Sequence, residues 1–176
     1  GFDRFFILYT PRWLNNHAQF GLGKFTYPWI RTSLTFDPDL NPEGIYLKLH
    51  WDTKNDFFKG ISLVGFWLPF LERGGSTSAT TGVRADGYDA FIAGGQLQSR
   101  WKLGDRVAVG LNLAAINFVN ADFIAQQQVS GGQLAGTNAN TNSLRTDATG
   151  AVVGFASRFL YLDTIATLGV DTGHAR

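Results

Sequence analysis

Residues 87–119 run Gly-Tyr-Asp-Ala-Phe-Ile-Ala-Gly-Gly-Gln-Leu-Gln-Ser-Arg-Trp-Lys-Leu from Gly87 to Leu103, turn at Gly104-Asp105, and continue Arg-Val-Ala-Val-Gly-Leu-Asn-Leu-Ala-Ala-Ile-Asn-Phe-Val from Arg106 to Val119. In the first half Phe91, Ala93, Gly95, Leu97, Trp101 and Leu103 share one parity, and Gln96, Gln98, Arg100 and Lys102 the other. In the second half Val107, Val109, Leu111, Leu113 and Ala115 alternate with Arg106, Ala108, Gly110, Asn112 and Ala114. A period of two places successive side chains on opposite faces of a strand, and a Gly-Asp pair between two such runs is a hairpin signal. The stretch therefore reads as two long antiparallel strands with one apolar and one mildly polar face.

The same rhythm extends outward. Ile45, Leu47, Leu49 and Trp51 alternate with Tyr46, Lys48, His50 and Asp52, behind a turn at Asn41-Pro42-Glu43-Gly44. Eight strands are expected, at about 2–10, 18–25, 43–52, 57–70, 87–102, 106–119, 150–159 and 163–172. Their connections alternate in length. Those at 53–56, 103–105 and 160–162 are short, and 11–17 is shorter than 26–42, 71–86 and 120–149, the last with a polar low-complexity run over 130–143. Short turns at one rim and long loops at the other describe a transmembrane β-barrel. The expected fold is thus all-β, an antiparallel meander of about eight strands forming a single barrel segment over residues 1–176.

Composition agrees with a wall between lipid and water. The 176 residues hold 21 Gly, 15 Phe and 5 Trp, with only 16% charged where about 25% is usual. A soluble sandwich would carry Lys, Glu and Thr on its outer parity, whereas the polar parity here is Gln, Asn and small residues. A soluble β-sandwich binding module remains the alternative this argument leaves. The absence of Cys excludes disulfide frameworks, thiolate metal sites and cysteine nucleophiles. A net charge of +1 without basic runs argues against nucleic acid. No G-x-S-x-G elbow or phosphate loop occurs, His17, His50 and His174 lack ligand spacing, and the acidic run from Asp37 departs from an EF-hand at Pro42 and Lys48. No enzyme activity, cofactor or metal is expected.

The block Gly23-Lys-Phe-Thr-Tyr-Pro-Trp-Ile-Arg-Thr32, followed by Phe36-Asp-Pro-Asp-Leu-Asn-Pro-Glu-Gly44, resembles the G-K-x-x-x-P and W-D-x-D-L-N-P-E-G signature of the putative porin family of Gram-negative outer membranes. Phe36 stands where that pattern has Trp, and outside residues 23–44 the likeness is one of strand rhythm. The resemblance implies an outer-membrane barrel with a signal peptide and more than eight strands, facing lipid and passing small hydrophilic solutes, in a protein class often trimeric. It implies no particular solute.

A passive pore works through its constriction and lining charges. The loop 26–42 is the expected constriction, with Arg31 against Asp37, Asp39 and Glu43. Lys48, His50, Gln96, Gln98, Arg100, Arg106, Asn112 and Arg158 fall on the lumen parity, an Arg and Lys excess that leans towards anions. Trp51, Trp67, Trp101, Phe159 and Tyr161 fall near strand ends, where interfacial aromatics belong. A structural barrel sheathing a haem protein, as in a porin and cytochrome electron conduit, is a further alternative. With eight strands both chain ends would lie on the long-loop rim, so the chain is expected to be an internal piece of a larger barrel of about 16 strands.

Overall fold

The computed structural model describes residues 3–37, 39–72, 76–77, 84–85, 89–129 and 142–173. In chain order the strands are β1 (Phe5–Tyr9), β2 (Ala18–Lys24), β3 (Glu43–Asp52), β4 (Phe58–Leu71), β5 (Ser76–Thr77), β6 (Arg84–Ala85), β7 (Ala90–Leu103), β8 (Val107–Val119), β9 (Leu144–Thr146), β10 (Val152–Phe155) and β11 (Leu160–Val170). A helix, α1 (Asp122–Val129), follows β8. Seven strands form one antiparallel sheet in the order β1-β2-β3-β4-β7-β8-β11, a meander whose two edges, β1 and β11, do not pair with each other.

Register explains why the alternation was legible. Opposite Ile45, Leu49 and Trp51 of β3 stand Trp67, Leu63 and Ile61 of β4, and opposite Tyr46, Lys48 and His50 stand Phe66, Val64 and Ser62. One face is therefore a continuous apolar surface, and it is bare: Leu63 is 48% exposed and Leu113 45%, while their neighbours Val64 and Ala114 are 0% and 7%. The other face carries Tyr46, Ser62, Val64, Phe66, Gln96, Gln98, Asn112 and Ile116, all buried. Hydrophobic burial in water would have put the larger apolar set inside. This sheet reverses that arrangement.

Two glycines are required by geometry. Gly104 holds a left-handed φ of 63° in the β7–β8 turn, a conformation that costs a side-chain-bearing residue. Gly21, paired with Tyr46, lies directly beneath that ring, where a Cβ would overlap the aromatic carbons.

The meander has seven strands rather than the expected eight. The candidate strand at 150–159 contributes only β10, which pairs with β9 in a separate two-stranded hairpin. Asp147 makes that hairpin's turn, its carboxylate accepting from Thr149 Oγ1 and from the backbone N–H groups of Thr149 and Ala151. The proposed turn at 160–162 is instead the start of β11, which lies against β8: Phe118 N donates to Phe159 O and Asp171 N to Arg106 O. Short connections at 10–17, 53–57 and 104–106 therefore alternate strictly with long ones at 25–42, 72–89 and 120–159. Among the described residues the odd count makes β1 and β11 run the same way, so Phe5 and Val170 stand at opposite rims, where eight strands would have put the outer ends of the first and last strands on one rim.

Packing divides the chain into two compact units, Gly1–Leu68 with Ala93–Ile116 and Tyr161–Arg176, and Pro69–Ile92 with Asn117–Leu160. The second unit holds α1 and the β9–β10 hairpin. Asp122 Oδ1 accepts from Phe155 N at 2.8 Å, Gln126 Nε2 donates to Val153 O at 2.9 Å, and Arg145 pairs with Asp122 at 3.4 Å. The polar run over 130–141 lies outside the described residues.

Candidate functional site

The connection 25–42 closes where it opens, with Phe25 N donating to Pro42 O at 3.0 Å, and its first half lies on the covered face of the sheet. Three contacts hold it there. The buried Phe25 ring meets Tyr46 edge-on, centroids 4.9 Å apart, and Tyr46 Oη reaches Gln19 Oε1 at 3.1 Å. Trp29 stacks on Phe66 at 4.0 Å with 18° between planes. Gln96 clamps the backbone of Ile30 from both sides, its Oε1 accepting from Ile30 N at 2.8 Å and its Nε2 donating to Ile30 O at 2.7 Å. Gln98 Nε2 donates to the same Gln96 Oε1 at 2.8 Å, fixing the amide's orientation. Gln96 is only 1% exposed, so these bonds replace hydration that the amide has lost.

Beyond the clamp the loop builds its own small core. Tyr27, Trp29 and Phe36 meet with ring centroids 4.8–5.5 Å apart, and Phe36 reaches Tyr161 at 6.3 Å. The Arg31 guanidinium lies 4.8 Å over the Tyr27 ring and donates from Nη1 to Phe36 O at 3.0 Å. Burial raises the Tyr27 hydroxyl above its usual range, the Arg31 charge opposes that shift, and Asp37 adds to it.

Between this segment and the polar ends of β3 and β7 lies a pocket of about 660 Å³, lined among others by Tyr27, Trp29, Lys48, His50, Gln98 and Arg100. Arg100 forms an ion pair with Asp52. Lys48, half-buried opposite Gln19 and Val64, has no ion pair among the described residues. His50 accepts at its carbonyl from the His17 ring, 2.8 Å away, and the two imidazoles lie 5.9 Å apart. No group of three or more metal-ligating side chains occurs among the described residues.

The expected constriction charges separate. Arg31 sits in the loop's aromatic cluster, and Asp37 and Asp39 are exposed in a turn where Asp39 N donates to Asp37 Oδ1 at 2.9 Å. Glu43 departs from the expectation: it begins β3 on the bare parity and faces Lys24 at 3.8 Å, because the β2–β3 register pairs the two. Of the expected lining residues, Lys48, His50, Gln96, Gln98, Arg100 and Asn112 lie on the covered parity, with Asn112 Nδ2 donating to Ile165 O at 3.2 Å. Arg106 is exposed in the β7–β8 turn. Arg158 is a correction, since it lies in the 156–159 segment and not on a sheet strand.

Trp51 and Trp67 stand on the bare face, 44% and 41% exposed. Trp101 shares their parity near the short-turn rim, against Phe57 and Phe58, with Nε1 donating to Ser99 Oγ at 3.0 Å. Phe159 packs on Phe118 and Phe155 just before β11. Tyr161 does not face outward as expected: β11 begins at Leu160, and the pleat turns Tyr161 to the covered side, towards Phe36.

Sequence reasoning passed over Tyr27, Trp29 and the Gln96 clamp. A usable signal was present. Large aromatics at 25, 27, 29 and 36, inside a connection rather than a strand, need a surface to cover them. A family model described as "Putative porin" matches residues 1–149. Neither a curated protein nor a solved structure matches the chain.

Proposed function

The chain belongs to the putative porin family, and from that premise we propose that its sheet is part of the wall of a water-filled channel in a bacterial outer membrane. The channel passes small hydrophilic solutes or ions down their gradients. The observation that carries this reading is the inversion of the sheet: a bare apolar face, and a covered face on which Gln, Asn, Lys, His and Arg are interspersed with Val64, Phe66 and Ile116. Lipid requires the first and an aqueous lumen accepts the second. Trp51, Trp67 and Trp101 then serve as interfacial anchors on the lipid side.

In this reading the connection 25–42 narrows the lumen. It is bound to the wall by the Gln96 amide and the Trp29–Phe66 stack, so the aperture is set by fixed contacts. A passive channel needs a stable opening and charges that sort what enters, and no residue is assigned a chemical step. The long connections 25–42, 72–89 and 120–159 face the exterior and the short ones the periplasm. Lipid and diffusing solutes are the partners, and the broad apolar wall is compatible with a trimer.

Reconstitution of the full-length protein in a planar bilayer tests the proposal. Discrete ohmic conductance steps support it. A protein that inserts, copurifies with a haem protein and never conducts would instead be a sheath around that partner, and the diffusion reading fails.

A further inference from the structure

We propose that His17 and His50 form a two-imidazole site for a first-row transition cation at the short-turn rim of the sheet. The starting point is a break in the backbone ladder. The pairing of Ala18 with Leu49 between β2 and β3 continues to His17 and His50, where His50 N donates to His17 O at 2.8 Å. An antiparallel pair bonded in this way normally exchanges a second bond, from His17 N to His50 O. Here His17 N instead donates to Leu14 O at 2.9 Å, closing the turn after residues 12–14. His50 O is served by the His17 ring, whose Nδ1 lies 2.8 Å away. A carbonyl oxygen can only accept, so Nδ1 carries the proton and Nε2 the lone pair.

That tautomer is the one a metal site uses. A ligating imidazole almost always donates its second N–H to a carbonyl, a carboxylate or water, which fixes both the ligating nitrogen and the plane of the ring. Trp51 holds the plane further, stacked on His17 at 6.3 Å with 21° between the rings. The His50 ring stands 5.9 Å from that of His17, and two imidazoles sharing a metal at ~2.0–2.1 Å per nitrogen have ring centres roughly 5–6 Å apart. Both residues are half-buried, so a hydrated ion reaches them from solvent. No hydrogen bond among the described residues engages His17 Nε2 or the His50 ring. With two protein ligands, water completes the coordination shell. Imidazole suits zinc, copper and nickel, whereas calcium and magnesium require oxygen ligands. The charges beside His50 on its own face are Lys48 and Asp52, and Asp52 is engaged by Arg100. Lys48 opposes a cation, so binding is moderate and reversible. The site goes beyond the channel reading and does not depend on it.

The test titrates the full-length protein in detergent with copper(II), the divalent ion of the series that binds imidazole tightest and whose paramagnetic spectrum reports the nitrogens around it. One copper per chain is expected, with a superhyperfine pattern from two nitrogens. His17→Gln and His50→Gln should each weaken binding by at least about tenfold, since even the outer partners of such ligands are worth about 10–100-fold. Glutamine at 17 keeps a donor for the His50 carbonyl. If either variant lacks the wild-type strand signal in circular dichroism, the readout becomes protection of His17 and His50 from diethyl pyrocarbonate by zinc, measured by peptide mass spectrometry on the wild type. His174→Gln, outside the described residues, is the control and should leave binding unchanged. Binding that survives both substitutions, a one-nitrogen spectrum, or binding lost with His174→Gln overturns the site. Each of these leaves the channel reading standing, and a protein that binds copper as expected but never conducts overturns only the channel.

Discussion

At the scale of single residues, the seating of the 25–42 connection, and with it the proposed aperture, leans most on the Gln96 amide. Gln96→Leu fills a similar volume but offers nothing to Ile30, whose N–H and C=O lose both partners at 2.8 and 2.7 Å. The expected cost is about 1–3 kcal/mol, with larger and noisier single-channel currents as the loop leaves the wall. Gly21→Val should cost a similar 1–3 kcal/mol, read as a lower denaturation midpoint, because its Cβ meets the Tyr46 ring. Tyr27 gives a pH signature. Its folded pKa is raised, so the folded chain holds the phenol proton more tightly than the unfolded chain does. Stability from this group is complete below the ordinary tyrosine value and is lost as pH rises through the raised one. Alkaline difference absorbance should show phenol ionising later than free tyrosine, and Tyr27→Phe should reduce the amplitude of that late phase. Periodicity could place Gln96 on the lumen parity. It could not supply Ile30, which is 66 positions away in a segment with no period of its own.

At the scale of elements, what was legible follows strand length. β3, β4, β7 and β8 run for 10, 14, 14 and 13 residues, long enough for alternation to be unambiguous. β10 has four residues, too few to distinguish a wall strand from a local hairpin, and the eight residues of α1 bunch most of their apolar positions at 123–125 without a sustained helical repeat. Position and charge predict an inward loop at 26–42, whereas aromatic stacking and backbone clamping are what seat it on the sheet. The faces of β4 also allow a test that separates membrane from water. Leu63→Arg places a charge on the bare face and should cost about 2–4 kcal/mol when the protein is unfolded by urea from lipid vesicles. On a soluble sandwich whose Leu63 already faced water, the same change would be close to neutral.

At the scale of the molecule, the strict alternation of connection lengths predicts sidedness. A peptide tag inserted at 53–57 should be hidden from antibody on intact cells, and one inserted in 142–151 should be exposed. Equal labelling of both would overturn the proposed orientation. Extraction should require detergent. The odd number of strands limits how the sheet can be completed. Because β1 and β11 run in the same direction, bending the ribbon onto itself would create a parallel seam, and so would joining it edge to edge with an identical copy inserted the same way round. Lipid does not tolerate an unpaired edge. An all-antiparallel circuit through these seven strands is satisfied only by a complement that is itself odd, so parity, rather than edge chemistry, decides what can stand beside β1 and β11.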